Sequence, residues 1–246
     1  MKIGIIVQTR MGSTRLPGKV MIKADESNVM LDYSINQLTN CKNHDVIVIA
    51  TTTLSRDDSI VEFCKNKQVE FFRGDENDVL GRHYLCAKKL SLTHIVRIPS
   101  DKPLIDPQIV DSIIKFFFSN KLDYAANFGV TKKNGFQKLI STYPSGTEVE
   151  MFTFDALEYA WKNSKTEDER EHVTPYIYFN PDKFKIKILN LKQNQSHLRW
   201  SLDYPNDVLF IREIIKKIHD RPILMQNIIN LLEKNPNLIK INQLDS

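Results

Sequence analysis

Residues 3–20 read IGIIVQTRMGSTRLPGKV, and the fold of the rest of the chain follows from this stretch. The apolar, β-branched residues 3–7 predict a buried strand rather than a helix. Residues 10–19 then hold two glycines among hydroxyl and basic side chains. Glycine lets the backbone approach a ligand closely, and Arg and Lys donate charge-assisted hydrogen bonds to phosphate oxygens. The three cations of this loop, which we expect to contact a triphosphate, are Arg10, Arg15 and Lys19.

A solvated basic turn is the alternative for this loop, because most charge clusters are simply exposed to water. Three features favour the phosphate site: the strand is the first of the chain, the charges alternate with small residues, and Pro17 stiffens the exit from the loop. The sequence matches neither the GxxxxGK[ST] motif of a P-loop nor the GxGxxG motif of a dinucleotide-binding fold. The pattern therefore predicts a different kind of phosphate-binding loop.

Composition is that of an ordinary globular protein. The 246 residues are 41% hydrophobic and 26% charged, and they predict one domain with a sizeable core. The net charge of +4 is modest and scattered outside the first loop, which favours a small anionic ligand over a nucleic acid. No signal peptide and no membrane-length apolar run is found, so a cytoplasmic protein without membrane contacts is expected. Three cysteines without CxxC spacing are expected to be reduced thiols in predicted helices, at Cys41, Cys64 and Cys86.

Strands alternate with helices through residue 107, and this α/β pattern predicts a mostly parallel sheet. After the first strand, further strands are predicted at residues 46–50, 69–72 and 94–98, and helices at 29–38, 57–67 and 78–90. Ligands of open parallel sheets bind beyond the carboxyl ends of the strands. The first loop, Thr51, Thr52 and Asp101 all follow predicted strands, so we expect them at one edge of the sheet.

The second half of the chain has a different pattern. Residues 129–145 are polar and predict a loop or a hairpin over the site. Strands are predicted at residues 124–128, 146–152, 184–188 and 198–202, and helices at 108–118, 154–161, 205–218 and 225–232.

Residues 10–19, RMGSTRLPGK, resemble the N-terminal signature of the cytidylyltransferases that activate sugar acids, the group of CMP-Kdo synthetase and acylneuraminate cytidylyltransferase. Within this group the chain is most similar to the spore coat polysaccharide biosynthesis branch. The resemblance implies a Rossmann-like, GT-A-type nucleotide-diphospho-sugar transferase fold, a three-layer sandwich with a mostly parallel sheet and a smaller antiparallel elaboration. It also implies a single domain over residues 1–246, in which residues 1–107 bind the nucleotide. Residues 108–246 would bind the acceptor and offer strands for a homodimer contact.

Asp101 and Asp203 each close a predicted strand, and we expect them to share a Mg²⁺ ion. A turn aspartate and a helix N-cap are the structural alternatives. Two carboxylates that meet at a sheet edge are costly unless a cation neutralises them, and Mg²⁺ prefers oxygen ligands. In the resembling enzymes an aspartate before a Pro-Leu-Ile run is the first metal ligand, and the resemblance matches Asp203 to the second. The spore coat branch reads Gly-Asp-Cys-Pro where this chain has Ser100-Asp101-Lys102-Pro103. Lys102 in place of cysteine is expected to change the acceptor pocket rather than the metal site.

The other site residues are predicted from the resemblance and from their position beside these loops. The spore coat branch carries the string Arg170-Glu171-His172-Val173-Thr174-Pro175, for which an ion-paired turn is the alternative. Glu148 and Glu150 alternate along a predicted strand. They belong either to the acceptor pocket or to a solvent-exposed face of that strand. The predicted acceptor-binding residues are Lys102, Glu148, Glu150, Arg170, His172 and Arg199. The predicted nucleotide-binding residues are Gln8, Arg10, Gly12, Ser13, Lys19, Thr51, Thr52, Arg73 and Ser100. The predicted catalytic residues are Arg10, Arg15, Lys19 and Asp101.

The resemblance implies a nucleotidyltransferase that couples CTP to a sugar-acid, phosphorylated or phosphonate acceptor and releases pyrophosphate, for surface polysaccharide or glycoconjugate synthesis. The residues alone would equally allow another nucleotide. A glycosyltransferase of similar fold is one alternative, but it would need a DxD motif, and Asp101-Lys102-Pro103 is not one. A non-catalytic CTP-binding subunit is another, although both aspartates and all three loop cations are present.

Overall fold

A computed structural model describes the backbone of residues 1–133 and 136–243 and the side chains of residues 1–131 and 138–243. The strands in this part of the chain are β1 (Ile3–Gln8), β2 (Val46–Thr52), β3 (Glu70–Gly74), β4 (His94–Pro99), β5 (Tyr124–Ala126), β6 (Phe128–Lys133), β7 (Phe136–Ser141), β8 (Glu150–Thr153) and β9 (Ile186–Ile188). The α-helices are α1 (Met30–Leu38), α2 (Asp58–Lys67), α3 (Val79–Lys89), α4 (Pro107–Asn120), α5 (Phe154–Asn163), α6 (Glu167–His172), α7 (Pro175–Tyr178), α8 (Pro205–Lys217) and α9 (Met225–Lys234).

Seven strands form one sheet in the order β3-β2-β1-β4-β8-β5-β9, which confirms the predicted mostly parallel α/β fold. Strand β1 pairs in parallel with β2 on one side and with β4 on the other. Strand β8 runs antiparallel to both of its neighbours. The chain leaves β1 toward β2 and β3, then returns to place β4 on the opposite side of β1. This reversal opens a crevice beyond the carboxyl ends of β1 and β4.

Helices cover both faces of the sheet, which gives the predicted three layers. The fully buried Ile5 and Val7 face one core, to which α1, α2 and α4 contribute. The equally buried Ile6 and Val48 face the other core, with side chains from α3 and α5. Adjacent residues of one strand therefore enter different cores, as expected for a sheet buried on both sides.

The prediction of a strand at residues 198–202 is wrong. In this segment Arg199 forms an isolated β-bridge with Ser145. Its alternating apolar residues instead pack against α8 and α9. Together they form a third apolar core, in which Trp200 is completely buried. The same apolar alternation can therefore arise from packing against helices without a strand neighbour. The backbone N–H of Leu202 donates to the carbonyl of Asp101 at 2.8 Å, so this segment reaches the site.

The other differences from the predictions are local. Residues 129–145 contain the β6–β7 hairpin, and positions 134 and 135 lie outside the described residues. Residues 170–176 form the end of α6 and the start of α7. A capping box between Thr166 and Glu169 starts α6, and Pro175 opens α7. Cys41 follows α1 and lies outside any helix.

The predictions about membrane spans and about the cysteines can also be compared with the structure. Across the described residues, no helix combines the length and the apolar character that crossing a membrane requires. The three cysteines are free and buried.

Candidate active site

The crevice between β1 and β4 contains the two loops that were predicted at the site. Gln8, the last residue of β1, is the register partner of Pro99, the last residue of β4. Residues 9–18 leave β1 at this point and residues 100–106 leave β4 beside them. The N–H of Ser100 donates to the carbonyl of Gln8 at 3.0 Å, so the two loops begin in direct contact.

Hydrogen bonds within the chain fix the shape of the first loop. The N–H groups of Ser13 and Gly18 both donate to the carbonyl of Met11 at 2.9 Å. Gly18 has a φ of 68°, which glycine adopts without strain. A Cβ at Gly12 would lie 2.9 Å from Nη2 of Arg56, so a larger residue there would displace the end of that side chain. The Ser13 N–H is thus already engaged, whereas its hydroxyl oxygen only accepts within the loop and keeps a proton to donate.

Three cations line a cavity of about 240 Å³ beside this loop, and they are the predicted Arg10, Arg15 and Lys19. Lys19 is the most buried, with 13% of its side chain exposed. Its Nζ donates to the carbonyl of Leu202 at 2.6 Å and lies 3.1 Å from Oδ1 of Asp203. Arg15 Nη2 donates to the same Oδ1 at 2.7 Å. Lys19 Nζ also lies 3.6 Å from Oδ2 of Asp101, so this amine stands between the two predicted metal ligands.

Arg10 has looser partners than the other two cations. Its guanidinium nitrogens lie 3.7 Å from a carboxylate oxygen of Glu76 and 3.8 Å from one of Glu171. About a third of the Arg10 side chain is exposed, and exposed pairs of this kind contribute little to stability. Arg10 can therefore exchange these carboxylates for the oxygens of a bound phosphate.

Asp203 is held as a charged carboxylate. Burial alone would raise its pKa, but the charge of Lys19, together with those of Arg15 and Arg199, keeps the pKa of Asp203 below its ordinary value. The alternative role of Asp203 as a helix N-cap is wrong, because Tyr204 occupies the cap position of α8 and Asp207 accepts its N–H. The Asp203 side chain therefore pairs with the loop cations rather than with the end of α8.

Asp101 offers an oxygen to which no described residue donates. Its Oδ1 is buried and lacks a hydrogen-bond partner, whereas Oδ2 faces Lys19. In the described part of the chain no cluster of three or more His, Cys, Asp or Glu side chains has the arrangement of a metal site. The carboxylates of Asp101 and Asp203 line the same cavity on either side of the Lys19 amine.

A second cavity, of about 870 Å³, adjoins the first and shares Asp101 and Asp203 with it. Lys102 and Glu148 line this larger cavity and pair with each other. The Nζ of Lys102 donates to the carbonyl of Glu148 at 2.9 Å and lies 3.1 Å from its Oε2. Both side chains are about nine-tenths buried. Lys102, which stands where the spore coat pattern has cysteine, therefore forms an ion pair in the wall of the predicted acceptor pocket.

Glu150 also lines the larger cavity. Only 2% of this residue is exposed, so it does not lie on a solvent-exposed face of its strand. Its carboxylate accepts hydrogen bonds from Tyr124 at 2.7 Å and Thr174 at 2.5 Å, and it pairs with Arg97 on the adjacent strand β4. Arg97 Nη2 in turn donates to the side chain of Gln8 at 3.0 Å. Sequence analysis missed Arg97, although a lone charge inside an apolar strand was the signal.

The two predicted residues of α6 point into different cavities. His172 lines the 870 Å³ cavity, and its Nε2 lies 3.6 Å from a carboxylate oxygen of Asp168. Arg170 lines a third cavity, of about 750 Å³, together with Arg10. The guanidinium of Arg170 donates to the carbonyl of Trp161 at 2.9 Å. Only the histidine of this pair therefore adjoins the predicted acceptor pocket.

Arg199 stands behind Asp203. Its Nη2 donates to Oδ2 of Asp207 at 2.7 Å and lies 3.6 Å from Oδ2 of Asp203. Asp207 also accepts the backbone N–H of Asp203 at 2.7 Å. Asp207 was missed by sequence analysis, although an aspartate in the first turn after Pro205 was the signal. Arg199 and Asp207 together hold Asp203 in place.

Three of the predicted nucleotide-binding residues, Thr51, Thr52 and Arg73, lie at the carboxyl ends of β2 and β3. Thr51 and Thr52 are fully buried, and the hydroxyl of Thr52 donates to the carboxylate of Asp57. Arg73 donates to the carbonyls of Thr52 at 2.7 Å and Leu54 at 2.8 Å. These contacts brace the edge of the sheet, and recognition of a base by these residues stays a prediction.

Comparisons with known proteins agree with this arrangement. A family model for cytidylyltransferases matches residues 4–235. The uncharacterized protein MJ1063 of Methanocaldococcus jannaschii is 38% identical over 244 residues, which are 98% of this chain and 95% of that protein. The spore coat polysaccharide biosynthesis protein SpsF of Bacillus subtilis is 30% identical over 239 residues, 94% of each protein. A solved cytidylyltransferase from Leptospira borgpetersenii serovar Hardjo-bovis is 31% identical with a TM-score of 0.89, over 99% of this chain and 98% of that one.

The family match spans both halves of the sheet and both loops of the crevice. The structural match to a solved cytidylyltransferase covers nearly all of both chains, and it confirms the Rossmann-like nucleotidyltransferase fold. This protein belongs to the cytidylyltransferase family.

Proposed function

We propose that this protein transfers the cytidylyl group of CTP to a sugar-acid, phosphorylated or phosphonate acceptor and releases pyrophosphate. The observation that carries this proposal is the position of Lys19, between Asp101 and Asp203 where the 240 and 870 Å³ cavities adjoin. A nucleotidyl transfer needs a cation-lined site for the leaving group next to a separate site for the attacker. The name of the Bacillus subtilis relative supports a place in surface polysaccharide or glycoconjugate synthesis.

The first loop is the donor site of this proposal. Arg10, Arg15 and Lys19 line one cavity from three positions of the loop, and each now pairs with a carboxylate. A triphosphate would replace those carboxylates as the partner of Arg10 and Arg15, while Ser13 would donate its hydroxyl proton. Once engaged with the triphosphate, these donors would stabilise charge on the leaving pyrophosphate.

The acceptor reaches the α-phosphate from the larger cavity. A bond forms between the acceptor oxygen and the α-phosphorus, and the bond from that phosphorus to the bridging oxygen of the β-phosphate breaks. The electron pair of the broken bond leaves on pyrophosphate, next to the loop cations. A phosphate or phosphonate oxygen is already anionic and needs no base, whereas an attacking sugar-acid hydroxyl would release its proton to water. Catalysis by these residues consists mainly of positioning and of charge neutralisation.

We also propose Mg²⁺ as the cofactor, held by Asp101 and Asp203. The unpartnered, buried Oδ1 of Asp101 and the charged carboxylate of Asp203 are oxygen ligands of the kind that Mg²⁺ prefers, usually with phosphate oxygens and water beside them. When bound, the ion would neutralise phosphate charge and lower the pKa of an acceptor hydroxyl. Lys19 would then contact phosphate rather than bridge the two carboxylates.

The test is a measurement of pyrophosphate release with CTP, UTP, ATP or GTP and Mg²⁺, against a panel of ulosonic acids and phosphorylated or phosphonate acceptors. Wild type is compared with Asp101→Asn and with the control Asp182→Asn, a change at an exposed surface position. We expect release to require CTP and one acceptor class, to stop with EDTA, and to fall at least a hundredfold in Asp101→Asn only.

Other outcomes would replace the proposal. Transfer from a nucleotide-sugar without pyrophosphate release would indicate a glycosyltransferase instead. Binding of CTP with no turnover on the whole panel would indicate a non-catalytic CTP-binding subunit. If CTP does not bind, the assignment of residues 10–19 as a triphosphate loop is wrong.

A further inference from the structure

One buried residue beside the 870 Å³ cavity has a strained backbone. Val173, which follows α6, has a φ of 73° and a ψ of −53°. The N–H of Thr174 donates to the carbonyl of His172 at 2.9 Å. These three residues therefore form the rare kind of γ-turn that has a positive φ at its centre. A residue with a Cβ is strained in this conformation, and a β-branched residue most of all.

Val173 differs from the other residues with a positive φ. In the described part of the chain, positive φ angles outside glycine also occur at Gln68, Ser91 and Lys121, and all three are exposed. Gln68 and Lys121 end helices in the left-handed helical conformation, which is a common way for a helix to end. Val173 is β-branched and completely buried. The usual ending of an exposed helix therefore does not account for its strain.

Contacts on both sides hold the turn in this conformation. The Val173 side chain packs into the core to which α3 and α5 contribute. After the turn, the hydroxyl of the buried Thr174 donates to the carboxylate of Glu150 at 2.5 Å. The carbonyl of Thr174 accepts the N–H of Ile177 at 2.9 Å, where α7 begins. Backbone strain persists only where the surrounding structure over-determines it, and it clusters at functional sites. Here burial of Val173 and the bond to Glu150 keep φ positive.

The turn fixes two residues that line the predicted acceptor cavity. His172 precedes Val173 and Thr174 follows it, and both line the 870 Å³ cavity. The side chain of His172 is only loosely held, because it is 56% exposed and its Nε2 lies 3.6 Å from a carboxylate oxygen of Asp168. The position of His172 relative to Thr174 therefore depends on the backbone of Val173.

Glu150 connects Thr174 to the donor site. The carboxylate of Glu150 also pairs with Arg97, whose Nη2 donates to Gln8 at 3.0 Å. Gln8 ends β1 and lines the 240 Å³ cavity. Thr174 is therefore held at a fixed distance from the donor loop, and His172 is held there through the turn.

We propose that Val173 is a positioning residue for the acceptor. Its strained turn holds His172 and Thr174 where they orient the acceptor toward the α-phosphate of CTP. The backbone conformation carries this role, and the valine itself does not contact the substrate. This inference rests on the proposed function, because it takes the 870 Å³ cavity as the acceptor site. An error of about 1 Å in the position of a reacting group can reduce the rate about a hundredfold.

Replacement of Val173 by Ala and by Gly separates the backbone from the side chain. Both variants lose the isopropyl group that the core holds. Alanine keeps the strain of a Cβ at positive φ, so we expect its turn to relax to a negative φ. Glycine adopts a positive φ without strain, so its turn should survive. We expect kcat/KM for the acceptor to fall at least about tenfold in Val173→Ala and to stay within about threefold of wild type in Val173→Gly.

Two readouts distinguish positioning from a general loss of structure. Initial rates of pyrophosphate release are measured with CTP and the ulosonic, phosphorylated and phosphonate acceptors of the panel. In Val173→Ala, KM for CTP should change much less than kcat/KM for the acceptor. The imidazole proton signals of His172, identified in NMR spectra by their loss in His172→Gln, report the position of this ring without substrate. They should shift in Val173→Ala and keep their wild-type positions in Val173→Gly.

Val110 supplies the matched control, because it is also a completely buried valine but lies within α4. Glycine is less stable than alanine inside a helix, so Val110→Gly should unfold at a lower urea concentration than Val110→Ala. At Val173 we expect the opposite order, because only glycine relieves the strain. Neither Val110 variant should alter the ratio of KM for the acceptor to KM for CTP.

Several results would overturn the inference. Equal kcat/KM for the acceptor in Val173→Ala and Val173→Gly would show that the conformation of the turn does not matter to the reaction. A lower urea midpoint for Val173→Gly than for Val173→Ala would show that the turn is not strained. Equal increases of KM for CTP and for the acceptor would indicate a general loss of structure. Wild-type turnover would leave the proposed function standing in each case, whereas absence of turnover with every acceptor would remove both.

Discussion

The backbone N–H of Met11 donates a 2.7 Å hydrogen bond to Oδ1 of Asp57, 46 residues further along the chain. The other carboxylate oxygen of Asp57 accepts from the N–H and the hydroxyl of Thr52. Asp57 is completely buried, so these bonds are shielded from water. The loop that we assign to the triphosphate is thereby anchored to the end of β2 and to the start of α2.

Replacement of Asp57 by Asn tests this anchor. The amide can still accept from Met11, but its NH₂ group would face the N–H of Thr52 and leave that donor unsatisfied, at a cost of about 1–3 kcal/mol. We expect Asp57→Asn to lower the melting temperature and to raise KM for CTP at least tenfold, with a smaller change in kcat. Asp182→Asn is the control, because that aspartate is exposed and lies outside both loops of the crevice. An unchanged KM for CTP in Asp57→Asn would contradict the anchoring role.

The depressed pKa of Asp203 predicts a pH dependence. Because its pKa is lower in the folded than in the unfolded chain, the stability that it contributes is fully present above about pH 4 and is lost as the pH falls through the folded value. Lys19→Met removes the charge that does most to lower the pKa of Asp203, so burial is opposed less strongly and that pKa should rise. Carboxyl carbon chemical shifts, followed by NMR against pH, would measure it. Lys23→Met, which changes an exposed lysine, should leave the pKa of Asp203 unchanged, and a similar shift in both variants would refute the assignment.

The buried pair of Arg97 and Glu150 predicts a large loss of stability when one partner is removed. Glu150→Gln leaves the Arg97 guanidinium, 11% exposed, without its countercharge. Breaking a buried pair in this way costs about 3–5 kcal/mol, which urea unfolding would measure as a lower free energy of unfolding. Glu213→Gln, in a half-exposed pair with Lys217, should cause no measurable change. A similar small loss in both variants would show that water reaches Arg97.

The three cysteines should be unreactive in the folded protein. Burial raises the pKa of Cys41, Cys64 and Cys86 to about 12 each, and the thiolate is the reactive form. Ellman's reagent at pH 8 should therefore label less than one thiol per chain under native conditions and all three after unfolding in guanidinium. Rapid labelling of the native protein would show that at least one of these helices or turns opens readily.

Much of the first half of the fold was predictable because its signals are local. Short apolar runs alternate with amphipathic segments, and the predicted strands and helices lie within a few residues of those found. The segment at 198–202 shows the limit of this reasoning. Its alternation reflects packing of Leu198, Trp200 and Leu202 against α8 and α9, and a period of two cannot distinguish that packing from a strand.

The candidate site was predictable in its residue types but not in its pairings. Arg10, Arg15, Lys19, Asp101 and Asp203 were identified from motifs at strand ends. The role of Glu150 could not be derived, because a glutamate on a strand is equally consistent with a solvent-facing position. Its burial depends on which strand lies beside β8, and the order of strands in a sheet is not encoded by the local pattern.

The position of the glycine-rich basic loop, the alternation of strands and helices, and the charged residues at the strand ends could all be predicted from the sequence, because each depends on neighbours within about one turn or one strand. Only the tertiary structure decided that Lys19 would stand between Asp101 and Asp203, 184 residues from the latter. It also decided that Arg97 would neutralise Glu150. These contacts arise from strand order and from the packing of distant segments, which burial of apolar surface fixes only when the whole chain folds.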